Sequence, residues 1–388
     1  RVSYAPNGAF PEGPGYWVYG TEFNAVLLGL LNSALGQDFE LSKSSGFDRT
    51  GEYITAMVGP SGLTCNFSDC STNNIINFAK LWWIARFKRP DCFSVADRHA
   101  FDRYTNAKSA RPDSSVYRLM PLALLYLSEL PAGGSADQPL SYFSGFGSAI
   151  PLAMHRSSNT PDATYVVLKG GVPFTSHGHM DSGAFILESD GVRWAIDPGV
   201  EDYTKFEKAG VKLWNLNQQS DRWKILRLGP KLHNILLIDG HPQNVKGLTV
   251  IREHRGAGAG QYTVLDLTPA YEADASSVVR KVQLADTGVL RITDTLTGLK
   301  PGSQVRWQMC TQAAVREKTA GRLLLSRDGK TMTVSATSAS PVAWRTLETS
   351  ELEGLLDRKN DARMVFFDTT APQDGQMTLE VSFTPGSH

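Results

Sequence analysis

Apolar residues recur at helical spacing in the first third of the chain. One stripe follows the i, i+3, i+4, i+7 order and consists of Phe23, Val26, Leu27, Leu30 and Leu31. This order predicts a helix from about residue 16 to residue 35, with Gly36 placed to end it. Helical patterns return at 74–87 and 116–130. The first part of the chain is therefore predicted to consist of packed helix pairs.

The pattern changes after a low-complexity linker at 131–137. Short segments rich in β-branched and aromatic residues then alternate with Gly, Asp, Asn or Pro turns, a pattern typical of an antiparallel β-sandwich. The predicted strands are 163–169, 183–188, 192–196, 235–239, 262–267, 278–284, 289–296, 305–309, 322–326, 331–335 and 377–383. We therefore expect a helical domain over 1–135 and a β domain over 136–388.

Composition and charge narrow the function classes. The chain has 388 residues, of which 41% are apolar, as in globular proteins. Lys plus Arg and Asp plus Glu number 39 each, so the formal net charge is zero. A neutral protein lacks the basic field of a general nucleic-acid binder, although a local cleft can still be basic.

The cysteines and the ends of the chain give little information about the fold or the function. Cys65, Cys70, Cys92 and Cys310 are too few for a disulfide scaffold and form no Cys-x-x-Cys zinc motif. Cys65 and Cys70 could form a disulfide, but two free thiols are the favoured interpretation. We find no apolar run long enough to span a bilayer and no signal peptide. Because the chain begins at Arg1 in what resembles mid-domain sequence, we expect it to be a piece of a longer protein.

Two imidazoles and a carboxylate are the candidate metal ligands. His177 and His179 lie two residues apart at the start of a segment predicted as a strand, where alternate side chains share a face. Asp197 ends a predicted hairpin strand after the turn at 189–191, and His233 begins a further strand. Two His and one carboxylate suit zinc. A His-x-His pair is equally typical of ordinary surface or core histidines, so spacing alone leaves both interpretations open.

Three motifs carry a resemblance to a known family. They are the His-x-His-x-Asp-x-Gly-x-Phe run from His177, the Ala-Ile-Asp-x-Gly run through Asp197, and the His-Asn-x-Leu-Leu-Ile run from His233. In this order they resemble the C-terminal half of the heparinase II/III family of polysaccharide lyases. The resemblance implies an α+β multidomain fold, in which a partial (α/α) toroid precedes a multi-layered antiparallel β-sandwich. It also implies an active-site role for His177 and a structural zinc on His179, Asp197 and His233.

The loop before the first helix resembles the family's entrance to the sugar-binding cleft. Its pattern is Asn7-Gly8, Glu12-Gly13 and Tyr16. The family reaction is β-elimination at a uronic acid, which needs a clamp for the carboxylate, a base for the C5 proton and an acid for O4. The implied catalytic residues are His177, Asn7, Tyr16, Tyr19 and Tyr203, and the implied sugar-binding residues are Glu12 and Trp17. Ordinary helix packing or a favourable helix-end charge would equally explain Glu12, Tyr16 and Tyr19.

The chain departs from the family pattern at two positions. The catalytic tyrosine that precedes a Pro-x-Gly turn in several members falls near Ala56, and Gly8 replaces the histidine that follows the loop asparagine. The base is then Tyr16, Tyr19, Tyr53 or Tyr203, or the activity is lost. Asp181 is expected to be a spare metal ligand or a partner for an imidazole.

Three functions follow from these residues. The first is a lyase acting on an anionic, uronic-acid-containing polysaccharide; heparan-type, hyaluronan-like, alginate-like and bacterial exopolysaccharides all fit. The second is a metal-dependent glycan hydrolase in which the same site activates water. The third is a carbohydrate-binding protein on a degenerate lyase scaffold. The resemblance implies a periplasmic or secreted protein with no nucleic-acid partner and no membrane span, and the sequence leaves self-association open.

Overall fold

The computed structural model describes most of the chain. The described residues are 2–73, 77–106, 119–145, 147–148, 150–200, 202–256, 258, 260–352, 354 and 361–386. Within these ranges helices dominate the first 130 residues and strands dominate the remainder. The change of pattern at the predicted linker therefore marks a real change in secondary structure.

The helices begin and end at residues with clear local signals. They are α1 (Gly13–Leu35), α2 (Thr50–Ala56), α3 (Phe78–Phe87), α4 (Val95–Asn106), a 3-10 helix (Met120–Glu129) and, much later, α5 (Tyr203–Lys208). Gly36 ends α1 in the left-handed conformation with φ 71°, as predicted. Asn77 caps α3 by accepting a hydrogen bond from the Lys80 amide at 2.9 Å. Residues 74–76 and 116–118 of the two later predicted helices lie outside the described residues, and the second of these helices is 3-10 where it is described.

Helix α1 carries apolar residues on two faces, and the stripe that predicts it is the one that is largely solvent-exposed. Phe23 is 59% exposed and Leu30 62% exposed. The buried face consists of Gly13, Pro14, Trp17, Thr21, Glu22, Ala25 and Leu28. This second face is also mostly small or apolar, so the periodicity reveals the helix but does not show which side packs on α3.

The strands form three antiparallel sheets, which confirms the predicted antiparallel β-sandwich. The first sheet has the order β1-β2-β3-β4-β5, with β1 (Ser141–Ser144), β2 (Leu152–Arg156), β3 (Tyr165–Lys169), β4 (Phe185–Ser189) and β5 (Val192–Ala195). The second has the order β12-β13-β14-β17-β10-β9-β8-β7, with β7 (Val250–Arg255), β8 (Gln261–Asp266), β9 (Ser277–Leu284), β10 (Leu290–Thr297), β12 (Ala314–Thr319), β13 (Arg322–Arg327), β14 (Lys330–Thr337) and β17 (Met377–Pro385). The third has the order β15-β16-β11-β6, with β6 (Leu236–Ile238), β11 (Gln304–Thr311), β15 (Arg345–Glu348) and β16 (Arg363–Thr370).

The five-stranded sheet is the middle layer of the molecule. Every residue of β2, β3, β4 and β5 is buried. One face, with Val167 and Ile186, shares a hydrophobic core with the helices. The other face, with Val166 and Phe185, shares a hydrophobic core with the other two sheets. A sheet covered on both sides is held rigidly, so loops at its ends are well placed to position a site.

The predicted linker packs against the helical region. Ser135 forms a parallel bridge with Ser94, and its amide donates to the Phe93 carbonyl at 2.6 Å. A division at residue 135 stays a prediction, because the helical core continues into the five-stranded sheet. Across the described residues, no helix combines the length and the apolar character needed to cross a membrane.

Candidate active site and metal centre

Three predicted ligands come together at one end of the five-stranded sheet. His179, Asp197 and His233 are all buried, and one ligand atom from each lies within 4.8 Å of the other two. The tight β4–β5 hairpin brings Asp197 into place. Its Asp190-Gly191 turn has φ of 57° and 72°, the mirror-image turn that the strand twist favours. The hairpin predicted from the sequence is therefore confirmed.

The backbone around the histidine pair differs from the prediction. Strand β4 begins only at Phe185, and His177 and His179 lie in the loop before it. His177 has φ 55°, and Gly178 lies so close to Pro173 that an added Cβ would sit 2.4 Å from the Pro173 carbonyl oxygen. The two imidazoles therefore converge because of a tight loop and not because they share a strand face. Alternation of side chains places them on one face only in an extended strand, and the backbone at His177 turns instead.

The three buried side chains fit a divalent metal. His179 Nδ1 is buried and has no hydrogen-bond partner. His233 Nε2 lies 3.0 Å from the Arg227 carbonyl oxygen, and His233 Nδ1 lies 3.1 Å from Asp197 Oδ2. If His233 donates from Nε2, its Nδ1 lone pair faces a carboxylate, an arrangement that a cation between them would relieve. Nitrogen and carboxylate donors of this kind are typical of zinc.

Asp69 is the functional residue that the sequence did not reveal. Its Oδ2 lies 2.6 Å from His177 Nδ1, its Oδ1 lies 3.2 Å from His179 Nε2, and it accepts from the Tyr203 hydroxyl at 2.7 and 2.9 Å. We call Asp69, His177, His179 and Tyr203 the Asp69 cluster. Burial alone would raise the Asp69 pKa, but the bonds from His177, His179 and Tyr203 lower it well below its ordinary range. Asp69 is therefore a carboxylate at neutral pH.

Four side chains, one of them Tyr203 of the Asp69 cluster, surround His177. The Tyr16 ring stacks on its imidazole with a centroid separation of 4.0 Å, and the Trp214 ring meets it edge-on at 5.3 Å. Glu12 Oε2 lies 3.8 Å from His177 Nε2. The Tyr203 ring is nearly parallel to the imidazole, with a centroid separation of 6.5 Å. The structure therefore brings together the predicted residues Glu12, Tyr16, His177 and Tyr203, which come from both the helical and the sheet regions.

The tyrosines of this site are poor bases. Burial and the Asp69 carboxylate raise the Tyr203 pKa, and the Tyr203 hydroxyl already donates to Asp69. Burial, Asp69 and Glu12 also raise the Tyr16 pKa. Tyr53 is fully buried within the helical core, and burial raises its pKa. Each of these tyrosines therefore keeps its proton at neutral pH.

Other predicted site residues do not join the cluster. Trp17 is completely buried and donates to the Thr50 hydroxyl at 2.7 Å, so its ring cannot stack on a sugar, and that prediction is wrong. Tyr19 is 60% exposed and packs edge-on against Phe23, one turn beyond Tyr16. The Asn7 side-chain oxygen accepts from Arg49 at 3.4 Å, which leaves its amide group as a donor.

Asp181 has a different partner from the one expected. Its carboxylate forms a buried ion pair with Lys169. None of the hydrogen bonds described for Asp181 reaches an imidazole. The expected hydrogen bond between Asp181 and an imidazole is therefore absent from the described contacts, and Asp69 is the carboxylate that bonds to both imidazoles. The alternative role of Asp181 as a spare metal ligand stays a prediction.

A buried clamp holds the Asp69 loop against the sheet. Arg193 of β5 pairs with Glu188 of β4 at 2.6 Å and donates to the Thr64 carbonyl at 2.8 Å. Glu188 also accepts from the Ser61 amide at 3.0 Å. The Asn66 side chain donates to the Asp197 carbonyl at 2.9 Å. The β4–β5 hairpin therefore positions both Asp197 and the loop that carries Asp69.

The fold is similar to that of solved heparinase structures. A heparan sulfate lyase, HepC from Pedobacter heparinus, matches with a TM-score of 0.68 at 16% identity, covering 100% of this chain and 54% of that protein. A heparinase III matches with a TM-score of 0.69 at 13% identity, covering 99% of this chain and 56% of that protein. The chain thus spans about half the length of these relatives, and at such identities the likeness shows the fold alone.

The family assignment rests on the sequence match. No curated protein matches the chain. The family model "Heparinase II/III-like, C-terminal" matches residues 148–376, which is more than half of the chain and includes His177, His179, Asp197 and His233. The chain therefore belongs to the heparinase II/III-like family, through the C-terminal domain that defines it.

Proposed function

We propose that the protein is a polysaccharide lyase that cleaves uronic-acid-containing glycans by β-elimination and carries a structural zinc. The observation that carries this proposal is the pairing of His177 with Asp69. Because His177 Nδ1 lies 2.6 Å from a carboxylate oxygen, it donates there and leaves Nε2 without a proton. A histidine held in this way is a suitable base for a carbon acid.

The elimination needs a base, an acid and a carboxylate clamp. We assign His177 Nε2 to removal of the C5 proton, after which the electron pair forms the C4–C5 double bond and the C4–O4 bond breaks. Tyr16 stacks on His177 and keeps its proton, so we assign it to protonation of O4. The free amide of Asn7 is the candidate donor to the uronate carboxylate. Tyr203 then acts through Asp69 and not as the base.

Sugar binding requires an accessible apolar ring near His177. Trp214 is 55% exposed and lies edge-on to His177 at 5.3 Å and to Tyr203 at 5.5 Å. Its indole nitrogen donates to Glu207 at 3.0 Å, which fixes the ring plane. We propose Trp214 as the stacking platform in place of the buried Trp17, with Glu12 contacting sugar hydroxyls.

The proposed zinc would be held by His179, Asp197 and His233. When bound, it would cross-link the loop before β4, the end of β5 and the segment before β6, and it would neutralise the Asp197 carboxylate. All three ligands are buried, so a polysaccharide has no direct access to them. This burial disfavours the hydrolase alternative, in which the metal must present water to the substrate.

The substrate class and the complete architecture are part of the proposal. The relative from Pedobacter heparinus is described as a heparan sulfate lyase, so a glycosaminoglycan is the first substrate to test. A polymeric substrate of this kind is found outside cells, which favours a periplasmic or secreted protein. We also propose that the helices belong to an α/α toroid, and that its further helices cover the exposed stripe of α1.

The proposal is tested with a panel of uronic-acid polysaccharides followed by ultraviolet absorbance. A lyase product carries a C4–C5 double bond that absorbs, and we expect absorbance to rise with heparan sulfate or a related glycan. The variant that tests the proposed base is His177→Ala. His241→Ala is its matched control for loss of an imidazole, because His241 is exposed and pairs with Asp274 outside the Asp69 cluster. Binding of a glycan without new absorbance would instead identify a carbohydrate-binding scaffold.

A further inference from the structure

We propose that Asp69 is a positioning residue that holds His177 and His179 in complementary tautomers, so that one carboxylate serves both the metal centre and the proton-transferring imidazole. This inference rests on the proposed zinc site and on the proposed role of His177. It adds a physical link between them that neither role requires by itself.

The first half of the link is the tautomer of His179. A nitrogen that binds a metal must present a lone pair, so the other ring nitrogen carries the proton. His179 Nδ1 is buried without a partner, whereas Nε2 lies 3.2 Å from Asp69 Oδ1. Nε2 is therefore the protonated nitrogen, and Nδ1 is left for the metal.

The second half is the opposite tautomer of His177. Its Nδ1 lies 2.6 Å from Asp69 Oδ2 and donates to it. Its Nε2 then carries the lone pair, on the side where Glu12 lies 3.8 Å away. The two oxygens of one carboxylate thus select Nε2–H in one ring and Nδ1–H in the other.

The carboxylate itself has little freedom to move. The Tyr203 hydroxyl donates to both of its oxygens, at 2.7 and 2.9 Å. The first turn of α1 packs against the backbone behind it, where a Cβ on Gly15 would lie 2.9 Å from the Asp69 carbonyl oxygen. A fixed acceptor facing two imidazoles can set both tautomers only if both of its oxygens accept.

The variant Asp69→Asn tests this requirement because an amide of the same shape has only one acceptor oxygen. Its NH2 group would face the N–H of one imidazole, and that ring must switch tautomer. We expect ¹⁵N NMR of the histidine rings in zinc-loaded wild-type protein to show Nδ1–H for His177 and Nε2–H for His179. In Asp69→Asn one ring should change, and the zinc affinity, measured by competition with a chromophoric chelator, should fall about 10- to 100-fold.

Asp97→Asn is the matched control. Asp97 is a buried carboxylate of the helical region that pairs with Lys80 at 2.6 Å and does not belong to the Asp69 cluster. This variant should lose stability yet keep both tautomers and the zinc affinity of the wild type. The inference is overturned if Asp69→Asn behaves in the same way. If Asp69→Asn does not fold, the wild-type spectrum decides, because His177 protonated at Nε2 contradicts the proposal.

These measurements use no glycan, so they separate the inference from the proposed function. Complementary tautomers in a protein that cleaves no polysaccharide would leave the Asp69 link standing and refute the lyase activity. Lyase activity in a protein whose Asp69→Asn variant keeps its tautomers and zinc affinity would do the reverse.

Discussion

At the scale of single residues, the proposed elimination depends on His177 as the group that removes the proton. Three tyrosines that could also act as the base are disfavoured: Tyr203 donates to Asp69, Tyr53 is buried, and the pKa of Tyr16 is raised. His177 alone combines a set tautomer with a ring nitrogen on the side of Glu12. Substitution of His177 is therefore a direct test of the proposed lyase activity.

We expect His177→Ala to lower turnover by about 100- to 10,000-fold, the usual contribution of a general base. The side chain does not belong to the zinc ligand set, so zinc content by elemental analysis and the melting temperature should stay close to those of the wild type. A variant that retains wild-type turnover would remove His177 from the mechanism.

The sequence motifs predict only some of the residues of the candidate site. The motifs around His177, Asp197 and His233 suffice to predict three side chains that do meet in space. Asp69 stands between Ser68 and Cys70 without any motif and lies more than 100 residues from both imidazoles. Only the packing of the helical loop on the β4–β5 hairpin reveals it. Burial likewise decides that Trp17 is a core residue and Trp214 an exposed one.

At the scale of secondary-structure elements, the buried Glu188–Arg193 pair joins the helical region to the five-stranded sheet. We expect Arg193→Met to cost about 3–5 kcal/mol of unfolding free energy, because it leaves the Glu188 charge buried and unpaired. Urea denaturation measures the loss. Arg291→Met is the control, since Arg291 forms only an exposed pair with Glu380 and should change stability by less than about 1 kcal/mol. Equal losses in the two variants would mean that the buried Glu188–Arg193 pair stabilises the fold no more than an exposed ion pair does.

Two stacked histidines on strands β2 and β7 should make the stability of the fold depend on pH. His155 of β2 and His254 of β7 stack at 5.0 Å, and His254 stacks on Phe143. Burial and the neighbouring His254 lower the His155 pKa from 6.5 to about 3, and burial lowers the His254 pKa to about 4. The unfolded chain therefore binds protons at these two imidazoles more readily than the folded chain does. Their contribution to the free energy of unfolding is complete above pH 6.5 and is lost as the pH drops from 6.5 towards 4.

The variant His254→Phe checks this pH dependence because it keeps a ring in the stack and removes one titrating group. Unfolding free energies measured in urea across this range should fall less steeply for the variant than for the wild type. An unchanged slope would mean that other groups cause the acid sensitivity.

The elements also show where periodicity is ambiguous. Alternation predicts β9 and β10 well, because one face of each packs on the core. It misses β12 (Ala314–Thr319), in which half of the residues are charged and most are exposed, because this strand is set by its pairing with β13. It identifies α1 but not its buried face. In each case the deciding information is the neighbouring element and not the local pattern.

At the scale of the whole molecule, the proposed zinc ties together segments that are far apart in sequence. A ligand bound only by the folded state stabilises it by about 4 kcal/mol when its free concentration is about a thousandfold above Kd. We therefore expect a chelator to lower the melting temperature of the wild type. His233→Ala should melt at the lower temperature with or without chelator, because its site is already incomplete. A chelator that leaves the wild-type melting temperature unchanged argues against a structural metal.

Whether this chain catalyses elimination can be read from the mass of the oligosaccharides that it releases from heparan sulfate. Elimination leaves a double bond in the new non-reducing sugar, whereas hydrolysis adds one water to the products. We expect unsaturated products from the wild type and none from His177→Ala. Products that are heavier by one water, or unsaturated products formed equally well without His177, would contradict it.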